Sequence, residues 1–360
     1  MYRDFEIKKF RGFNHLEMND LERINLITGF NNVGKTTFLE ALFLHCGQHN
    51  PSLVFNIYNF RGVGEMKWDL GQKIETPWAS LFYEFSKDEA IELKGKMDNN
   101  QYAVLTFKNL YKQEDFSNIL NLLKIKPDES SEELFNTNFL NEVLELEYTE
   151  GNQKEKNYLV FDSKGFRLTA RPVNPSFPAY FLSVRKPISF KEDAELYGRL
   201  DVNQKAGMLV DVLKIIEPRL ESLSMVFVGK QPVLHGKIDI DRLMPISILG
   251  EGIVRLTNIM LRIANAENGV VLIDEIESGF HYSILPRVWK VINETAKLFN
   301  TQIFATTHSL ECITAAHNYF LSTRYEFKLF RIDRLNNKEE VKAYSSEVLN
   351  AALEAGLEIR

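Results

Sequence analysis

A mostly apolar run, Ile24-Asn25-Leu26-Ile27-Thr28, stops at Gly29 and continues as Phe30-Asn31-Asn32-Val33-Gly34-Lys35-Thr36. This is a complete GxxxxGK[ST] loop. It is followed by Phe38, Ala41, Leu42 and Leu44, whose helical spacing predicts a helix over Lys35–Cys46. A strand that feeds a tight glycine turn, with a helix opening directly behind it, presents backbone N–H groups and a positive helix end to an anion. In that geometry Lys35 reaches the β- and γ-phosphates of a nucleotide and the Thr36 hydroxyl ligates Mg2+. Gly29, Asn31, Asn32, Val33, Gly34, Lys35, Thr36 and Thr37 are therefore the expected phosphate-binding residues.

Three later stretches gain meaning from that loop. Val270-Val271-Leu272-Ile273-Asp274-Glu275 is an apolar strand ending in two acids. Beside a phosphate loop, Asp274 is expected to hold Mg2+ through water, and Glu275 to orient or deprotonate the attacking water. Ile303-Phe304-Ala305-Thr306-Thr307-His308-Ser309 is again a strand running into a loop, and places His308 where a γ-phosphate sensor would sit. Ser247-Ile248-Leu249-Gly250-Glu251-Gly252 precedes a helix carrying Arg255. Taken alone this piece is an ordinary helix start; its place before the acidic strand makes it a candidate anion site.

The rest of the chain sets bounds. With 360 residues, 44% hydrophobic and 26% charged, it is long enough for a large core and has the balance of a soluble globular protein. Its 26 Phe are read as core filling rather than as a stacking surface for bases. A net charge of −6 gives no global basic field for nucleic acid, though a local groove is compatible with it. Cys46 and Cys312 lack metal-ligand spacing and read as reduced, buried small hydrophobes. No signal peptide is visible at the charged start, and no apolar run approaches the roughly 20 residues of a spanning helix. The expected location is cytoplasmic, with no membrane partner.

Strands alternate with helices in the last third, which predicts a parallel sheet. From about Arg61 to Thr169 the rhythm changes. Ala79 to Phe85 and Gln101 to Phe107 read as short strands, and Glu114 to Leu146 reads as helical, broken by Pro127 and the acidic run Asp128–Glu133. The expected fold is α/β, with residues 1–62 and 240–360 as one ATPase core and 63–239 as an inserted α+β region that couples to a partner.

The four motifs, in this order, resemble the Walker A, signature, Walker B and H-loop of ABC-type ATPase heads. The likeness covers roughly residues 1–60 and 240–334, and implies a P-loop NTPase fold with ATP and Mg2+ as cofactors. It also implies a homodimer or larger homo-oligomer in which Ser247, Gly250, Glu251 and Gly252 of one head act on ATP held by its partner. Phe10-Arg11-Gly12-Phe13 before the loop looks like the RecF, SMC and OLD group. Ile273 to Tyr282 with Ala305 to Ser309 is most similar to stand-alone OLD-like bacterial ATPases. Some members of that group serve in phage defence, which implies a separate nuclease or toxin as effector. An OLD-like nuclease and a RecF-like DNA loader are the alternatives. The first needs an acidic cluster that the roughly fifty residues after His308 leave no room for, and the second lacks its usual Ser-x-Leu-Asp, His281 standing where many members have Asp. Asn336-Asn337-Lys338-Glu339 lacks the Asp of a guanine-reading loop. Gln48 and Gln72 are candidates for a Q-loop glutamine, and Arg11 and Phe13 for the adenine contact. Arg185, in Ser183-Val184-Arg185-Lys186, reads as a basic surface turn or as a phosphate or nucleic-acid contact.

Overall fold

The computed structural model describes residues 1–62, 76, 78–86, 88–111, 143–162, 165–168, 175–323, 326–335 and 338–359. The chain opens with β1 (Tyr2–Phe10), β2 (Phe13–Met18) and β3 (Ile24–Thr28), then α1 (Lys35–Cys46) and α2 (Leu53–Phe60). β4 (Ile91–Met97), β5 (Tyr102–Leu110), β6 (Val143–Glu150), β7 (Gln153–Asp162) and β8 (Gly165–Leu168) follow. Next come β9 (Ala179–Leu182), α3 (Phe190–Val202), α4 (Ala206–Leu213), β10 (Ser222–Val228), β11 (Gln231–Lys237) and β12 (Leu243–Pro245). The last third holds α5 (Glu251–Asn265), β13 (Val270–Ile273), α6 (Leu285–Leu298), β14 (Gln302–Thr306) and α7 (Leu310–Leu321). It closes with β15 (Phe327–Leu335), β16 (Lys338–Tyr344) and α8 (Ser346–Glu354).

A six-stranded sheet in the order β16-β15-β3-β14-β13-β9 carries the phosphate loop. All its neighbours pair in parallel except β15 and β16, which are antiparallel. Its central strands are apolar on both faces because both faces are covered. On β13, Val271 and Ile273 enter the core built with Leu256 and Ile259 of α5 and Trp289 of α6. Val270 and Leu272, one residue out of phase, enter the other core with Phe38 and Leu42 of α1. That second core is closed by a seven-stranded antiparallel sheet, β2-β1-β4-β5-β6-β7-β8. α1 thus packs among two sheets, and its residues from Phe38 to Cys46 are all buried. Each large apolar side chain so removed from water contributes roughly 1.5–3 kcal/mol before entropy is charged against it. Phe5, Phe10, Phe13, Phe38, Phe107, Phe304, Phe320, Phe327 and Phe330 are fully buried, as expected of core filling. Cys46 and Cys312 are buried and free.

Segment 63–239 contributes to both large sheets: β4 pairs with β1, and β9 lies beside β13. Several local expectations change. Strict alternation would have turned Phe10 away from Phe5 and Ile7, yet all three are buried together. Lys9 has φ 58°, and this left-handed residue breaks the extended alternation just before Phe10, while the pairing with β2 stays in register. Ala79 to Phe85 forms two 3-10 turns, Ala79–Leu81 and Tyr83–Phe85, instead of a strand. Positive φ at Glu84 and Phe85 forbids extended backbone there. The expected helix ending at Leu146 ends instead inside strand β6, and its earlier part lies outside the described residues. No helix among the described residues is long and apolar enough to cross a membrane.

Candidate nucleotide-binding and active site

Parallel strands bring their carboxyl ends to one edge, and that edge is where ligands bind in open α/β sheets. Here β3, β14, β13 and β9 are adjacent, so their following loops converge. Two glycines make the phosphate loop sterically feasible. Gly29 has φ 135°, and a Cβ on it would lie 2.2 Å from the Ile332 carbonyl oxygen. Gly34 has φ 107°, and a Cβ there would lie 2.4 Å from the Phe13 ring. Phe13 is thereby explained: it is buried beneath the loop and not available to a base.

A cavity of about 510 Å³ lies at this edge. The loop and α1 supply Asn31, Asn32, Gly34, Lys35, Thr36 and Thr37; the segments directly after β13 and β14 supply Asp274, Glu275 and His308. Phe60, Arg61 and Arg185 complete the lining. Gly29 and Val33 do not line it; Val33 is buried, and the Gly29 carbonyl accepts a bond from Lys35. The Lys35 ammonium donates to the carbonyls of Gly29 at 2.7 Å and Phe30 at 2.9 Å. Burial pushes its pKa down to about 8, against the opposing pull of Asp274, Glu275 and Glu277.

The two acids are fixed by hydroxyls. Thr36 donates to Asp274 Oδ1 at 3.0 Å, and Thr306 donates to the same oxygen at 2.8 Å. Thr306 Oγ1 also accepts the Glu275 N–H at 2.8 Å, which holds Glu275 in a left-handed conformation with φ 48°. His308 is set by its own N–H, which donates to Glu277 Oε1 at 2.8 Å. α7 begins directly behind it, capped by Ser309, whose hydroxyl oxygen accepts from Cys312 N–H at 3.0 Å.

Sequence reasoning missed the supporting arginine. Arg61 donates to both oxygens of Glu40, at 2.7 and 2.9 Å, and Arg11 lies 3.2 Å from the same carboxylate. Glu40 is fully buried, and its carboxylate raises the Arg61 guanidinium above its ordinary pKa. A glutamate inside the otherwise apolar run Phe38–Leu44 was the available signal, because such a charge needs a cationic partner. Thr306 likewise stood inside a recognised motif without a role attached.

Residues 24–313 match the family described as "AAA domain, putative AbiEii toxin, Type IV TA system". The chain belongs to this AAA-domain family. An ATP/GTP phosphatase of Helicobacter pylori is 25% identical over 339 residues, 87% of this chain and 86% of that relative. An uncharacterized protein of Methanocaldococcus jannaschii is 32% identical over 131 residues, 36% of this chain and 56% of that protein. Among solved structures, an Smc head bound to the C-winged helix domain of ScpA superposes with a TM-score of 0.50 at 13% identity. The match covers 98% of this chain and 99% of that one, and the shared fold is the P-loop NTPase fold of an Smc head.

The remaining expected residues of this AAA domain lie elsewhere. Ser247 sits in an exposed 3-10 turn, Ile246–Ile248, and Gly250 caps α5 with φ 117°. Ser247, Gly250, Glu251 and Gly252 do not line the cavity that holds Lys35. Gln48 donates to the Ser176 hydroxyl at 2.7 Å, away from that cavity, and Gln72 lies outside the described residues. Arg11 lines a neighbouring cavity of about 630 Å³ with Phe82, Tyr83 and Arg334, and Thr37 and Arg61 are common to both spaces. Arg185, one of two readings left open in the sequence, is a lining residue of the phosphate-side cavity.

Proposed function

We propose that this chain hydrolyses ATP to ADP and phosphate and uses the cycle to pair with, and part from, a second copy of itself. The observation that carries the reading is the meeting of Lys35, Thr36, Asp274, Glu275 and His308 in one cavity. The phosphates lie along the Gly29–Thr36 loop, and the nucleoside extends over Thr37 into the space beside Arg11 and Tyr83. Glu275 takes a proton from water as the water oxygen bonds to Pγ and the bond from Pγ to the bridging oxygen of ADP breaks. His308 contacts the γ-phosphate.

The residues present fit a magnesium ion. It is held by few protein ligands and completes its shell with phosphate and water oxygens, which suits one hydroxyl and one carboxylate bonded at 3.0 Å. Thr36 and Asp274 would hold it, and bound there it would neutralise charge on the β- and γ-phosphates.

Pairing is supported by the exposed turn at Ser247, which does not line its own head's phosphate-side cavity and carries Ile248 at 68% exposure. A head-to-tail pair would set that turn and Gly250 on the partner's γ-phosphate. The recipient of the switch would be a separate effector protein.

The test is ATP turnover by the wild type, Glu275→Gln and Lys35→Ala, each sized with and without ATP. Wild type turns over slowly; Glu275→Gln loses at least about a hundredfold in kcat while retaining ATP in a larger species; Lys35→Ala loses binding. Wild-type turnover by Glu275→Gln would remove the catalytic assignment.

A further inference from the structure

Among the described residues, three cationic side chains line the phosphate-side cavity, and two have partners. Lys35 is bonded to its own loop, and Arg61 is spent on Glu40. Arg185 makes no ion pair among the described residues, and its side chain is exposed to solvent in the cavity. Its backbone is nonetheless held. The Ser183 hydroxyl donates to the Phe60 carbonyl and accepts the Arg185 N–H at 3.1 Å, which ties the loop after β9 to the end of α2. Gly62 sits against it, with room for a Cβ no closer than 3.6 Å to the Arg185 Cβ.

The register fixes where this loop stands. β9 and β13 run parallel with Leu182 opposite Ile273, and the Asp274 N–H donates to the Leu182 carbonyl at 2.9 Å. Arg185 therefore leaves the sheet edge beside Glu275, one strand further from the phosphate loop. A triphosphate whose inner phosphates lie in the loop must direct its terminal phosphate toward this side, where the attacking water is also held. A guanidinium suits that place, because its planar fork can bond two phosphate oxygens while charge redistributes as the bridging bond breaks.

We propose that Arg185 is a catalytic residue of this head, bonding the γ-phosphate of the ATP in its own subunit and stabilising it as it passes to water. The proposal rests on the ATPase reading above. It adds no chemical step: the Pγ–O bond to ADP still breaks, the bond to water forms, and Glu275 takes the proton.

The experiment measures turnover, MgADP affinity and MgATPγS affinity for the wild type, Arg185→Ala, Arg185→Lys and Lys35→Ala. Arg185→Ala is expected to bind MgADP within about twofold of wild type, to bind MgATPγS several-fold more weakly, and to lose about 10²–10³ in kcat. Arg185→Lys should recover part of the loss, since it keeps the charge without the fork. Retained ADP binding shows that the variant is folded. If Arg185→Ala keeps wild-type turnover while Lys35→Ala loses it, Arg185 is not catalytic and the ATPase reading survives. Equal losses of ADP and ATPγS binding would also overturn the proposal, because the contact would not be with the third phosphate. Absence of turnover in the wild type defeats the ATPase reading, and the ratio of the two affinities still decides the contact.

Discussion

Lys35 is placed so that nucleotide binding and proton binding are coupled through its ammonium group. Burial lowers its pKa from 10.5 to about 8, so between those values the unfolded chain binds more protons than the folded one. The sign follows: Lys35 costs stability below about pH 8, and the cost fades as pH rises from 8 to 10.5. Phosphate oxygens favour the charged ammonium and must raise the pKa again. ATP binding near pH 8.5 should therefore take up a proton, whereas binding near pH 7 should take up almost none at this group. Calorimetry of ATP binding to Glu275→Gln, in two buffers of different ionisation enthalpy, reads this directly. The apparent enthalpies should coincide near pH 7 and separate near pH 8.5 in the direction of uptake. Coincidence at both values would mean that Lys35 is fully charged before ATP arrives.

At the scale of elements, the contact between α3 and α5 carries a buried charge cluster of its own. Asp193 is fully buried; its Oδ1 accepts from Arg262 Nη1 and from Asn258 Nδ2 at 2.8 Å, while Glu192 lies 3.2 Å from Arg262 Nη2. Removing the acid leaves a guanidinium buried with a weaker, half-exposed partner. Asp193→Ala should cost about 3–5 kcal/mol, against less than half of that for Glu192→Ala, measured by urea unfolding. Similar costs for both would show that α3 and α5 are held mainly by their apolar faces. This contact also marks what a sequence exposes and what it hides. The strands and helices around the motifs were legible because continuous apolar runs and glycine turns are local signals. β3, β13 and β14 have the bounds expected from them. The partners of β1 and β2 were not legible, since alternation identifies a strand without naming its neighbour. Nor were Arg61 and Glu40 as a pair, because a buried ion pair joins residues whose separate contexts look ordinary. Arg185 was visible only as an ambiguous basic turn until β9 was found beside β13.

For the whole molecule, the decisive fact is that Ser247 is exposed and does not line the cavity of its own phosphate loop. Such an arrangement predicts complementation. Ser247→Arg should bind ATP normally, because that residue does not line its own cavity. It should fail to hydrolyse ATP and fail to form the larger species in a Glu275→Gln background, because in the proposed pair the added side chain would stand where the partner's triphosphate enters. Lys35→Ala should fail for the opposite reason, having a sound turn and no phosphate grip. Mixed together, the two inactive proteins can form a pair with one intact composite site, the turn coming from the Lys35→Ala subunit and the phosphate loop from the Ser247→Arg subunit. A measurable fraction of wild-type turnover should return on mixing and depend on the concentration of both. If Ser247→Arg is active alone, or mixing restores nothing while each variant still binds its partner, each head works within itself. The exposed turn at Ile248 then serves some contact other than the one with a second copy.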